Sequence, residues 1–132
     1  MVEKTLMIIK PDATAKRAIG DIISMVEDKF EIAGIIMKRL TVEEACEFYA
    51  VHKGKPFYDS LVEFMTSGPV VGLLLQGEDA IKRLREVVGA TDPSKARPGT
   101  IRAKFGTDIQ RNAVHASDSP ESAAYEIPFF FK

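Results

Sequence analysis

The alternation of apolar and polar positions along the chain predicts strands and helices in a regular order. Apolar runs rich in β-branched residues predict strands at residues 5–9, 31–40, 70–76 and 113–115. Helical spacing predicts helices at residues 20–30, 56–65, 80–88 and from 120, with Pro56 in the first turn of the second and Gly89 at the end of the third. Thr41 and Glu44 have the spacing of a capping box, which predicts another helix from residue 41. The run 70–76 is almost continuously apolar, which is typical of a strand near the middle of a sheet.

Stripped of its extra helices, this order is βαββαβ. It predicts an α+β sandwich of ferredoxin-like type, with a four-stranded, largely antiparallel sheet. The length of 132 residues fits one domain over residues 1–132. Residues 89–110 are polar, contain several prolines and glycines and show little periodicity. We expect a long irregular loop there, either functional or disordered.

Composition narrows the range of functions. With 28% charged residues and a net charge of −1, the chain lacks the basic excess of a nucleic-acid binder, so no specific nucleic-acid partner is expected. Cys46 is the only cysteine, which excludes an intrachain disulfide and a thiolate zinc cluster. No apolar run approaches the ~20 residues of a membrane span, and the first residues lack the pattern of a signal peptide. We expect a cytoplasmic protein without a membrane partner.

The chain has two histidines, and one of them stands in a setting suited to phosphate chemistry. His115 follows residues 91–104, which hold four cations against one acid. The sequence has neither a G-x-G fingerprint nor a P-loop, so phosphate would have to be bound by side chains. Arginine suits this role because its guanidinium group can bind two phosphate oxygens at once. Taken alone, His115 could be a satisfied strand-end histidine and the loop a solvated basic surface. His52, in a polar stretch, is expected to be merely exposed.

Four blocks in order resemble nucleoside diphosphate kinases, and the resemblance covers nearly the whole chain. The blocks are residues 10–12, 67–71, 97–102 and 112–119. The last block, Asn-Ala-Val-His-Ala-Ser-Asp-Ser, matches the active-site signature of that family. Ala13, Gln110 and Ala116 stand where the family frequently has glycine, and Gln110 could shift the base-side wall of the pocket.

The resemblance implies a catalytic role for His115. It would take the γ-phosphoryl group from a nucleoside triphosphate, become a phosphohistidine and pass the group to a nucleoside diphosphate, with ping-pong kinetics. Glu126 falls where the family has a carboxylate that binds the other imidazole nitrogen, and Ser117 where a hydroxyl supports that carboxylate. Without the family pattern, Glu126 would be read as a charge on a helix surface.

The resemblance also assigns the binding residues. Lys10 and Tyr49 match positions that contact the transferred phosphoryl group, although Tyr49 could also be a core residue. Three groups of positions complete the implied nucleotide site: Arg85, Thr91 and Arg102 at the other phosphates, Asn112 at the sugar 3′-hydroxyl, and Phe57 and Ile109 on either side of the base with Leu61 beside them. Stacking ignores base identity, so broad base specificity follows.

The resemblance further implies Mg²⁺, brought by the nucleotide and bridging its phosphates rather than bound directly by the protein. Asp118 is the acid expected to touch it through water. Family members assemble from a common dimer into tetramers or hexamers, so a homo-oligomer is expected.

Two other classes of protein share part of this pattern. RNA-recognition modules share the βαββαβ topology, but they stack bases on strand aromatics, which are almost absent from these strands. A phosphohistidine carrier or protein histidine kinase would keep His115 but would need neither Asn112 nor Phe57. Both residues are present, which favours nucleotide turnover.

Overall fold

A computed structural model describes residues 2–131 of the chain. The strands are β1 (Val2–Ile9), β2 (Glu31–Lys38), β3 (Val70–Glu78) and β4 (Val114–Ala116). The α-helices are α1 (Pro11–Ala15), α2 (Ile19–Glu27), α3 (Val42–Phe48), α4 (Tyr58–Met65), α5 (Ala80–Val88), α6 (Ile101–Phe105) and α7 (Pro120–Glu126). Short 3₁₀ turns lie at Ala50–His52, Pro93–Lys95 and Ile127–Phe129.

The four strands form one sheet in the order β2-β3-β1-β4, and every neighbouring pair is antiparallel. The ferredoxin-like α+β prediction is therefore confirmed, as is the central position of β3. β2 lies at one edge and carries an irregularity between Ile32 and Gly34. β4 lies at the other edge and pairs with the C-terminal half of β1, where Ile8 faces His115.

Apolar side chains cover both faces of the sheet because successive residues of a strand point in opposite directions. In β1, Met7 and Ile9 belong to the core beneath α2 and α5, whereas Leu6 and Ile8 belong to a second core with α3, α4 and Phe130. Burial on two faces explains why β1 reads as a continuous apolar run rather than an alternating one.

The structure corrects the expectation of a long irregular loop at residues 89–110. This segment contains the Pro93–Lys95 turn and helix α6. Both begin at a local cap, because the Asp92 carboxylate accepts a hydrogen bond from Ser94 N and the Thr100 hydroxyl accepts one from Ala103 N. Elements of three to five residues are too short to show helical periodicity, so the sequence pattern did not reveal them.

Other element boundaries follow the predictions with small shifts. The capping box at the start of α3 is present, since Glu44 N donates to the Thr41 hydroxyl and Thr41 N donates to the Glu44 carboxylate. Gly89 ends α5 in a left-handed conformation, with φ of 92°. Pro56, predicted in the first turn of a helix, lies outside α4, two positions before its first residue, Tyr58.

Candidate active site

The alternation of β4 turns His115 away from the core formed by its two neighbours. Val114 and Ala116 are buried in the core beneath α5, so the intervening side chain points to the opposite face. There the imidazole meets the edges of two aromatic rings, Phe48 at a centroid distance of 5.3 Å and Tyr49 at 6.1 Å. The ring is thus held on its sides by rigid groups.

A carboxylate fixes the remaining freedom of the imidazole. His115 Nε2 lies 2.9 Å from Glu126 Oε1, and the same oxygen accepts a hydrogen bond of 2.7 Å from the Ser117 hydroxyl. Ser117 is fully buried, and the Glu126 side chain is only 12% exposed. A carboxylate in this position accepts a hydrogen bond from Nε2–H, so the proton stays on Nε2 and the lone pair lies on Nδ1. Nδ1 has no hydrogen-bond partner among residues 2–131.

The His115 side chain lines a cavity of about 560 Å³, which lies between α3, α4 and the loops before α6 and β4. This volume falls in the range of small-molecule sites. All the predicted site residues except Ser117 line it, and these are Lys10, Tyr49, Phe57, Leu61, Arg85, Thr91, Arg102, Ile109, Asn112, His115, Asp118 and Glu126. Ser117 lies behind Glu126 instead, in the position predicted for a supporting hydroxyl.

Lys10 follows β1 directly and is almost completely buried. Its ammonium group donates to the Gln110 carbonyl at 2.8 Å and to the Asn112 side-chain oxygen at 3.0 Å. An ammonium group has three donors, so one stays available for a ligand. Burial lowers the pKa of Lys10 to about 8, and the charge of Asp12 partly counteracts this decrease.

Asn112 links the loops around the cavity. Its amide nitrogen donates to the carbonyl oxygens of Thr91 at 3.0 Å and Ile109 at 2.9 Å, so both of its hydrogens are used. Its side-chain oxygen, already bound to Lys10, is the atom left to accept from a ligand hydroxyl. The side chain is thereby held in one orientation.

Two arginines supply positive charge to the cavity. Arg102 is buried and donates to the Gly89 and Val114 carbonyls, while its Nε has no partner among the described residues. Burial and the neighbouring charge of Arg85 lower the pKa of Arg102 to about 10, which leaves the guanidinium charged at neutral pH. Arg85 is exposed and donates to the Ala116 carbonyl at 3.2 Å. Two neighbouring guanidinium groups favour the binding of an anion.

The opposite end of the cavity is apolar and open. Phe57 is 44% exposed and Ile109 is 63% exposed, and both line the cavity together with buried Leu61. The side-chain amide of Gln110 donates to the Ser60 hydroxyl at 3.1 Å and so joins the two walls. Exposed apolar walls facing a cavity suit a flat ring that stacks between them.

Tyr49 and Asp118 complete the lining. Tyr49 lies just after α3 rather than within it, and burial raises the pKa of its hydroxyl, which therefore stays a donor. It is both a core residue and a wall of the cavity. The Asp118 carboxylate accepts a hydrogen bond of 2.6 Å from the Ser122 hydroxyl, which lowers its pKa and keeps it ionised.

Sequence reasoning missed several residues of the cavity. His52, expected to be merely exposed, is partly buried, lines the cavity and contacts the rings of Tyr49 and Phe57. Val51 and Phe48 line it as well. Their spacing in the sequence resembles that of ordinary core or surface residues, so only the three-dimensional arrangement identifies them.

Comparison with known proteins decides the family. The family model for nucleoside diphosphate kinase matches residues 3–132. The chain belongs to the nucleoside diphosphate kinase family. It is therefore an enzyme of the phosphotransferase class.

Individual nucleoside diphosphate kinases match over almost their full length. The protein from Aquifex aeolicus (strain VF5) is 57% identical over 98% of this chain and 94% of its own length. The protein from Bdellovibrio bacteriovorus is 57% identical over 99% of this chain and 94% of its own length.

Solved structures of nucleoside diphosphate kinases superpose closely on the fold. The Aquifex aeolicus structure has a TM-score of 0.97 at 56% identity and covers all of this chain and 96% of its own. A halophilic nucleoside diphosphate kinase from Halobacterium salinarum, solved in complex with CDP, has a TM-score of 0.96 at 40% identity and covers 100% of this chain and 89% of its own.

Within residues 2–131, no helix is long and apolar enough to cross a membrane.

Proposed function

We propose that the protein transfers the γ-phosphoryl group of a nucleoside triphosphate to a nucleoside diphosphate through a phosphohistidine at His115. The observation that supports this most strongly is the geometry of the imidazole. Nε2 lies against the Glu126 carboxylate, while Nδ1 is unpartnered within the described chain and its ring lines the cavity. Nδ1 attacks the γ-phosphorus and the nucleoside diphosphate leaves. The second half-reaction reverses these bonds with a different nucleoside diphosphate.

Glu126 assists because the imidazole gains positive charge as the Nδ1–phosphorus bond forms. A carboxylate hydrogen-bonded to Nε2–H stabilises that charge without itself taking the proton. The Ser117 hydroxyl, which donates to the same carboxylate oxygen, holds it in line with the ring.

The cations of the cavity bind the phosphates. Lys10, with one donor free, and the Tyr49 hydroxyl contact the transferred group, while Arg85, Thr91 and Arg102 hold the remaining phosphates. Fixed positive charge in a partly buried cavity offsets the charge on the phosphoryl oxygens during transfer.

At the open end of the cavity, the base stacks between Phe57 and Ile109, and Leu61 forms the floor. Neither wall offers a hydrogen bond that would distinguish one base from another, so purine and pyrimidine nucleotides are both accepted. The Asn112 side-chain oxygen accepts from the sugar 3′-hydroxyl. The relative from Halobacterium salinarum, solved with CDP, supports nucleotide binding in a protein of this fold.

Magnesium fits this cavity as an ion carried by the nucleotide. Residues 2–131 contain no group of three or more histidine, cysteine or carboxylate side chains arranged to hold a metal, whereas the Asp118 carboxylate lies in the cavity wall within electrostatic reach of Arg85. Asp118 would bind a water molecule of the ion. Bound Mg²⁺ would neutralise charge on the phosphate oxygens.

Labelling tests the proposal directly. The protein is incubated with Mg²⁺ and ATP labelled at the γ-phosphate, and acid-labile, base-stable label on the protein is measured. GDP is then added, and labelled GTP is expected to form as the protein loses its label. His115→Ala should take no label, whereas Asp21→Asn, a control change at an exposed site on α2, should keep it. Absence of label on the wild type, or labelled His115→Ala, would contradict the proposal.

The GDP chase also separates the alternative, a phosphohistidine carrier or protein histidine kinase. Such a protein would keep its label when GDP is added and would release it only to a protein acceptor.

The cytoplasmic location and the assembly into a tetramer or hexamer remain predictions from the sequence and from its resemblance to the family.

A further inference from the structure

Ala113, two residues before the phosphate-accepting histidine, has a backbone conformation that alanine rarely adopts. Its φ is 77°, in the left-handed region that favours glycine. A non-glycine residue in this region is strained and persists only where its surroundings hold it. Ala113 is fully buried and links Asn112 to β4, so its conformation sets the directions of both Asn112 and His115.

The segment after β1 holds Ala113 by both of its backbone groups. Ala113 N donates to the Asp12 carboxylate at 3.0 Å, and the Ala113 carbonyl accepts from Lys10 N at 2.9 Å. These contacts join residues about a hundred positions apart in the chain. The side-chain bond depends on the carboxylate at position 12 alone, whereas the other bond uses backbone atoms that any residue provides.

The second oxygen of Asp12, Oδ1, is buried and accepts no hydrogen bond from the described residues. The nearby Lys10 ammonium group is also buried. Three charged groups act on that ammonium: Asp12 and Asp108 favour its protonated form, and Arg102 opposes it. Asp12 is the stronger of the two favourable charges.

We propose that Asp12 is a positioning residue of phosphoryl transfer: one of its oxygens fixes the strained Ala113 backbone, and its negative charge favours the protonated form of the buried Lys10. It touches neither nucleotide nor His115 and acts through these two neighbours. The inference rests on the proposed function, because its readouts are steps of that reaction.

The charge on Lys10 is tested with Asp12→Asn. The asparagine oxygen can still accept from Ala113 N, but the negative charge is gone. The value of kcat/KM for a nucleoside diphosphate is measured from about pH 6 to about pH 10, the range in which a lysine of lowered pKa titrates. We expect the alkaline limb to move to lower pH by at least about half a unit, because Lys10 loses its main favourable charge. Asp21→Asn, an equal charge change at an exposed site on α2, should leave the limb in place.

The backbone contact is tested with Asp12→Ala, which removes the acceptor. We expect kcat to fall by about tenfold to about a hundredfold, the size expected when catalytic groups are displaced slightly. Adding Ala113→Gly to this variant should restore part of the loss, because glycine adopts the left-handed conformation without strain. Thermal unfolding of each variant shows that the folded protein is being assayed.

The outcomes separate this inference from the proposed function. A wild type without phosphotransfer would contradict the function itself. An active wild type with an unshifted alkaline limb in Asp12→Asn would overturn the role of Asp12 toward Lys10. Failure of Ala113→Gly to recover any activity in Asp12→Ala would overturn its role toward the backbone.

Discussion

Replacing Glu126 should slow the formation of phosphohistidine without removing the nucleotide site. Glu126 Oε1 lies 2.9 Å from His115 Nε2, and the side chain is 12% exposed, so water cannot readily take its place. The carboxylate contributes more as phosphorus bonds to Nδ1, since the ring becomes cationic at that point. Its effect should therefore appear in the rate of phosphoryl transfer rather than in nucleotide affinity.

The magnitude follows from the hydrogen bond that is lost. Bonds to charged groups contribute about 1.5–3 kcal/mol and neutral bonds about 0.5–1.5 kcal/mol. Glu126→Ala removes the whole interaction, which corresponds to a rate about tenfold to a hundredfold slower at ~1.4 kcal/mol per factor of ten. Glu126→Gln keeps an acceptor but loses the charge, a difference of about 1–1.5 kcal/mol, or about fivefold to tenfold.

Rapid mixing with labelled ATP, followed by quenching in base, measures the first half-reaction alone. Glu121→Gln, a matched change at an exposed position of the same helix, serves as control and should phosphorylate at the wild-type rate. If Glu126→Ala, folded by its melting curve, formed phosphohistidine within about twofold of the wild type, the carboxylate would have no part in stabilising the transition state.

Three further predictions concern pH, packing and base binding. The Lys10 pKa is about 8, and a bound phosphate raises it because the nucleotide binds the protonated form. Nucleotide affinity should therefore fall as the pH rises above 8, by up to about tenfold per pH unit. Calorimetry should also detect proton uptake on binding. Constant affinity up to pH 10 would contradict this. Gly89→Ala should destabilise the protein by about 1–3 kcal/mol in urea unfolding, because φ is 92° and a Cβ would lie 2.6 Å from the Thr100 hydroxyl; an unchanged midpoint would refute the clash. Phe57→Ala should raise KM about fivefold or more for ATP, GTP and CTP alike, whereas an effect on one base only would argue against stacking.

Much of the scaffold was predictable because its signals are local. The capping box at Thr41 and the glycine that ends α5 depend on residues within one helical turn, and both are present as predicted. The continuous apolar run of β3 predicted a central strand because such a strand is buried on both faces. Helix α6 was not predicted, since five residues between a threonine cap and a glycine show no periodicity.

The candidate site divides in the same way. A histidine among small polar residues and a cationic loop marked phosphate chemistry, and the family resemblance assigned further positions. The place of His52 in the cavity depends on the turn after α3, which brings its ring against those of Tyr49 and Phe57. No spacing rule in the sequence carries that information.

By itself, the sequence determined the four strands and the longer helices, because periodicity and caps act over a few residues. It also determined the residue types from which a phosphotransfer site can be built. Only the tertiary structure decided how they meet. Pairing of β1 with β4 brings Lys10 to Asn112 and Asp12 to Ala113, contacts between residues about a hundred positions apart. The strand register decides such contacts, and the register depends on how all four strands and both cores pack together.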